Sequence, residues 1–238
     1  MKRLLGVVLF GVLVVLASCS NPFEPRDIVL VGLGDSLTKG VGDEEDREGY
    51  FGRVADGLVE NGTFDSVETI NEAVSGRKSA ELLDALKEEE DVQRAVERAD
   101  VIALSIGGND VMGVFKKHAL SLSVEPFQEE YVSYEERLRA IVEAIESLNK
   151  QATIVFLSLY DPVLLVAEDT KEVGAILEEW NGGMRSIVEE RPSHRRFIDI
   201  SDPVRAADES LYAEDYFHPN AKGYTLIAEQ WLNDWKNE

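Results

Sequence analysis

Five short runs of strand-forming residues, separated by stretches of helical periodicity, constrain this chain more than any other feature. They lie at 27–34, 67–74, 101–106, 153–159 and 196–200. The first is the plainest: Ile28, Val29, Leu30 and Val31 are consecutive apolar residues, as in a strand covered on both faces of a parallel sheet. Between the runs, apolar residues recur at intervals of three and four. Phe51, Val54 and Leu58 mark a helix over 50–61, which Asn61 and Gly62 stop. Leu82, Leu86, Val92 and Val96 mark another over 79–98. Within it, residues 88–91 are all acidic, either a solvated face or a break between two helical pieces. Leu138, Ile141, Val142, Ile145 and Leu148 mark a helix over 133–150, and residues 171–190 form the next. Pro219 suits the first turn of a last helix that runs to about Trp235. This alternation predicts an α/β fold, a three-layer α/β/α sandwich around a five-stranded parallel sheet of flavodoxin-like type. No repeat or low-complexity tract suggests a second domain.

Charge narrows the partners. With 46 acidic against 24 basic residues and a net charge of −22, the chain lacks the clustered cations that bind nucleic acid. The same imbalance disfavours broad docking onto anionic lipid surfaces. Solubility is its simplest explanation.

The beginning of the chain reads as an address segment. Lys2 and Arg3 precede a fourteen-residue apolar run from Leu4 to Ala17. That is short of the roughly 20 residues a spanning helix needs, and it fits the apolar region of a signal peptide. Leu16-Ala17-Ser18-Cys19 resembles the lipobox of bacterial lipoproteins. The resemblance implies cleavage before Cys19 and a lipid on its thiol. Cys19 is the single cysteine, so no internal disulfide forms. The expected organisation is a signal peptide over 1–18, a lipid-anchored tether over 19–26 and one catalytic domain over 27–238. The protein would be exported and anchored to the bacterial cell membrane, facing outward.

Chemistry gathers outside the carboxyl ends of strands in open α/β sheets. The first run ends in Gly32-Leu33-Gly34-Asp35-Ser36, which presents a serine as nucleophile or as helix cap. A nucleophilic serine needs a base, and there are three histidines. His118 sits beside Lys116 and Lys117 on a surface helix, and His194 lies in a turn flanked by Arg191, Arg195 and Arg196. His218 differs: Asp215 precedes it by three residues and Pro219 locks the loop. In one turn Asp215 can accept the Nδ1 proton and leave Nε2 for Ser36, as in a triad. The backbone N–H of Ser36, the N–H of Gly76 after the second strand and the amide of Asn109 after the third could converge on an oxyanion. The glycine spacing misses the dinucleotide fingerprint at Leu37, and Thr38 replaces the last glycine of a nucleophile elbow. No Walker A, His-Glu-x-x-His or Cys-x-x-Cys pattern occurs, so no metal or cofactor is expected.

Four blocks together are similar to the SGNH (GDSL) hydrolase family of esterases and lipases. They are Gly34-Asp35-Ser36-Leu37, residues 71–76 ending in Gly76, Gly107-Gly108-Asn109-Asp110, and Asp215-Tyr216-Phe217-His218. The resemblance implies hydrolysis of a carboxylic ester through an acyl-serine, with Ser36, Asp215 and His218 catalytic. Ser36, Gly76 and Asn109 would form the oxyanion hole, and Asp35 would be structural. Activity should fall below about pH 6.5 as an imidazole base protonates. The family leaves lysophospholipid, short-chain acyl and O-acetyl glycan esters open as substrates. An acyltransferase on the same fold, or a silent lipoprotein that only binds glycan or lipid, are the rival readings. Residues 111–115 and 163–166 could line an acyl pocket, form a flap or simply pack on the core. Asp161 stands before Pro162 where similar members often carry asparagine.

Overall fold

The computed structural model describes residues 26–118, 123–161, 171–205 and 209–236. The signal segment, Cys19 and residues 163–166 lie outside the described residues. Strands β1 (Asp27–Gly34), β2 (Ser66–Asn71), β3 (Val101–Ser105), β4 (Thr153–Leu157) and β5 (Arg195–Ile198) pair in parallel, in the order β2-β1-β3-β4-β5. The helices are α1 (Ser36–Lys39), α2 (Gly49–Glu60), α3 (Ser79–Glu88), α4 (Glu90–Arg98), α5 (Gly108–His118), α6 (Glu125–Leu148), α7 (Lys171–Glu189), α8 (Ser201–Arg205) and α9 (Ala221–Lys236).

Alternation along the strands divides the core in two. Val31, Leu33, Ile102, Leu104, Ile154 and Phe156 face the layer of α3 to α7. Leu30, Val101, Ala103, Val155 and Leu157 face α2 and α9. Both faces of the central strands are thus covered, which is why β3 is buried along its whole length. Strand order reverses direction between β1 and β3, and a crevice opens there at the carboxyl ends.

Several boundaries differ from the sequence expectation: β2 ends at Asn71 rather than 74, β4 at Leu157 rather than 159 and β5 at Ile198 rather than 200. Of the two readings of residues 88–91 the break holds, because Glu89 adopts extended backbone between two helices. Helix α6 starts at Glu125 rather than 133, with Pro126 in its first turn and Phe127 and Tyr134 buried. Pro219 lies outside α9: it pairs with Tyr212 in an isolated bridge, and Asn220 accepts the Gly223 N–H at 3.1 Å instead.

Candidate active site

Backbone geometry sets Ser36 before any partner reaches it. Gly34 takes φ +116°, and a Cβ there would lie 1.8 Å from the Ser105 carbonyl oxygen. Only glycine passes at that point. Asp35 then donates its N–H to the same carbonyl at 3.0 Å, locking the end of β1 to the end of β3. The Asp35 carboxylate caps α1 by accepting the Leu37 N–H at 3.1 Å. Ser36 is the first residue of that helix, so its hydroxyl is not used as a cap.

Behind the serine runs a buried chain of hydroxyls. Ser105 Oγ donates to Asp35 Oδ1 at 2.7 Å. With Ser105 committed to that carboxylate, Thr38 Oγ1 donates to Ser105 Oγ at 2.7 Å and the Tyr50 hydroxyl donates to Thr38 at 2.6 Å. Burial pushes the Asp35 carboxyl up to about 6, against the opposing pull of Ser105, Leu37 and His218. Sequence reasoning missed this chain. Its members sit in three separate elements and carry no shared motif.

The base arrives on the loop before α9. Asp215 Oδ1 accepts the N–H groups of Phe217 at 3.0 Å and His218 at 2.9 Å, while Oδ2 lies 2.6 Å from His218 Nδ1. A carboxylate partner places the proton on Nδ1 and leaves Nε2 as acceptor. Nε2 receives the Ser36 hydroxyl at 2.9 Å across 182 residues of chain. Partial burial would raise the Asp215 carboxyl, but the ring and amide donors of His218 and Phe217 outweigh it and hold it below the ordinary range. The loop is pinned by Ala213 N–H to the His218 carbonyl at 2.8 Å and by the Tyr160 hydroxyl to the Phe217 carbonyl at 2.8 Å. Tyr216 pays for the turn with a left-handed φ of +54°.

The other two expected donors lie after β2 and β3. Residues 74–77 form a turn closed by Arg77 N–H to the Val74 carbonyl at 3.1 Å. Gly76 holds its third position at φ +81°, as a type II turn requires. Open space surrounds Gly76: a Cβ would meet nothing within 4 Å. Asn109 Nδ2 donates one hydrogen to the Arg77 carbonyl at 3.1 Å, which ties the third block to the second and aims its remaining hydrogen. Among the described residues, no protein acceptor takes the N–H of Ser36 or of Gly76.

A second cluster braces Asn109 from behind. The buried Asp110 carboxylate accepts the Ser79 N–H at 3.0 Å, the Ser79 hydroxyl at 2.7 Å and Arg137 at 3.3 Å. Burial nonetheless raises its carboxyl above the ordinary value. This brace also escaped sequence reasoning, because Arg137 lies one helix away. His118 ends α5 and His194 donates its N–H to the Arg191 carbonyl, so neither joins Ser36. No group of three or more metal-type side chains occurs among the described residues.

A cavity opens beside the serine. It is lined by Ser36 and Asn109 at one end and by apolar side chains of α5, α6, α7 and the end of β4 beyond. From the 111–115 stretch, Val111, Met112 and Phe115 line it, while Val114 packs into the core.

This architecture has known counterparts. A sequence model described as the GDSL-like lipase/acylhydrolase family matches residues 33–226. The chain belongs to that family. It is a carboxylic ester hydrolase. A curated relative, the uncharacterized protein YpmR of Bacillus subtilis strain 168, is 36% identical over 213 residues, covering 89% of this chain and 82% of YpmR. Among solved structures, the lipase Lip_vut3 from a goat rumen metagenome superposes with a TM-score of 0.76 at 22% identity, covering 86% of this chain and 95% of that one. Axe2, an acetylxylan esterase from Geobacillus stearothermophilus, gives 0.64 at 22% identity over 87% and 93%. The esterase EstA from Pseudoalteromonas sp. gives 0.60 at 20% identity over 89% and 100%. These likenesses establish the GDSL/SGNH hydrolase fold for this chain.

Proposed function

We propose that this family member hydrolyses carboxylic esters with Ser36 as nucleophile, His218 as base and Asp215 as its orienting acid. The carrying observation is the unbroken relay from Ser36 Oγ to His218 Nε2 at 2.9 Å and from Nδ1 to Asp215 at 2.6 Å. Ser36 Oγ attacks the acyl carbon as its proton passes to Nε2. The carbonyl oxygen becomes an oxyanion, received by the N–H groups of Ser36 and Gly76 and by Asn109 Nδ2. As the ester C–O bond breaks, Nε2 returns its proton to the leaving alkoxide. Water then repeats the sequence on the acyl-serine, giving the carboxylic acid and free Ser36. Asp215 holds the imidazole tautomer throughout and faces the imidazolium that forms.

The same proposal places the enzyme outside the cell on a lipid anchor at Cys19. It rests on the Lys2-Arg3 start, the apolar run and the lipobox-like residues 16–19. Replacing Cys19 with serine should move the protein from the detergent phase to the aqueous phase.

The test of the chemistry uses a fluorophosphonate probe and p-nitrophenyl butanoate. Wild type should be labelled and active, while Ser36→Ala should lose labelling and about 10³-fold or more of kcat. Unchanged turnover in Ser36→Ala would overturn the assignment.

A further inference from the structure

The tetrahedral intermediate at Ser36 has four substituents, and this site assigns a direction to each. Serine Oγ is one. The oxyanion is the second, and it points to the open turn at Gly76 and to Asn109. The leaving oxygen is the third, and it must lie against His218 Nε2 to take its proton. The acyl chain is the fourth and takes the direction left over.

The cavity beside Ser36 matches that remaining direction. Its lining includes Ser36 and Asn109, and Tyr160 and Phe217 from beside the base, but neither Gly76 nor His218 itself. Beyond the reacting end, Met112 and Phe115 from α5, Phe127 from α6, and Ile176 and Leu177 from α7 supply an apolar wall. The alcohol side looks different. Tyr216, in the turn that carries His218, is 52% exposed, and across the site Val74 is 46% exposed and the turn at Gly76 is open. From this asymmetry we infer that the enzyme selects its substrate by a medium-length acyl chain held in the cavity, while the alcohol stays in solvent. The inference rests on the Ser36 and His218 roles proposed above.

Cavity size sets the length. The space open to the centre of a water molecule is about 110 Å³. One water centre takes roughly 10–15 Å³ and represents about 30 Å³ of liquid, so roughly seven to eleven waters fit. A methylene fills slightly less than a water, which corresponds to a chain of about eight to ten carbons. An acetyl group would leave nearly all of this apolar wall unpartnered.

The experiment is a p-nitrophenyl ester series from acetate to hexadecanoate, kept below the critical micelle concentration, beside an octanoyl series with different alcohols. Each methylene entering the cavity should raise kcat/KM by up to about 4-fold. The profile should peak near octanoate to decanoate, at least about 100-fold above acetate, and change by less than about 5-fold among alcohols. Ile176→Trp, which enlarges a side chain in the cavity's apolar wall, should move the peak toward butanoate. A flat profile, or one that favours acetate, overturns the inference while leaving Ser36 hydrolysis intact. A steep dependence on the alcohol overturns it too. Loss of all ester hydrolysis together with loss of fluorophosphonate labelling in the wild type would instead overturn the parent assignment. Should Ile176→Trp fail to fold, the wild-type series decides alone.

Discussion

Asp35 carries a charge in a place that resists it, and replacing it with asparagine should separate that burden from its capping role. The carboxyl is 7% exposed and is pushed from the ordinary 3.8 up to about 6. At 1.36 kcal/mol per pH unit, that gap corresponds to about 3 kcal/mol. The sign follows from proton binding: between the two values the folded state holds a proton that the unfolded state has released. Ionisation therefore costs little below pH 4, grows as pH rises toward 6, and is fully felt at pH 8. In Asp35→Asn the amide oxygen still accepts from Leu37 and Ser105, and no charge is desolvated. The variant's stability relative to wild type should rise by about 2.5 kcal/mol between pH 4 and pH 8. For a domain of this size that is roughly 5–10 °C in Tm. Urea unfolding of both proteins at the two pH values measures it. Any fixed gain or loss from the amide cancels in the comparison, as do titrating groups remote from Asp35; His218 and Asp110, which interact with its charge, do not. An identical stability difference at pH 4 and pH 8 would refute the reasoning.

Other expectations are simpler. Asn109→Ala should lower kcat by about 10²-fold with little change in KM, since its free amide hydrogen meets only the oxyanion; an effect confined to KM would remove it from the hole. Asp215→Asn should lower kcat by about 10⁴-fold, because the imidazole loses the acceptor that sets its tautomer, and near-normal turnover would contradict that. Arg53 and Asp43 form a buried pair, with side chains 4% and 1% exposed. Arg53→Ala should destabilise by about 3–5 kcal/mol by stranding that carboxylate, and denaturant midpoints will report it. The Asp43, Asp199 and Asp215 carboxyls are all held below 3.8. They stabilise the fold above that pH, and their contribution is lost as pH falls further, so acid unfolding should set in below about pH 3.8.

The site's corners were legible in the sequence because each breaks a pattern. Gly34-Asp35-Ser36 interrupts an apolar strand, Gly76 and Asn109 follow two others, and the Asp215–His218 spacing suits one tight turn. The flavodoxin-like sandwich was equally accessible, since five covered strands with helical crossovers leave few right-handed arrangements. The supports were not. Ser105, Thr38 and Tyr50 meet only because Gly34 lies in register with Ser105 across β1 and β3. Asp110 finds Arg137 only because α3, α5 and α6 pack together. Such contacts are products of tertiary placement and leave no local trace. Pro219 misled for a related reason: its helix-starting preference yields to a bridge with Tyr212.

If Cys19 carries the proposed anchor, strand β1 would also set which way the mouth faces. It enters the sheet at Asp27 and delivers Ser36 just past its other end, eight strand residues later. At about 3.3 Å per residue that is roughly 26 Å. A chain tethered through Cys19 would therefore stand on its entry end, with Ser36 at the top and pointing away from its own bilayer. Esters arriving from the surroundings would meet the mouth directly. Those in the supporting leaflet would be reached only if the domain tipped over on its short tether.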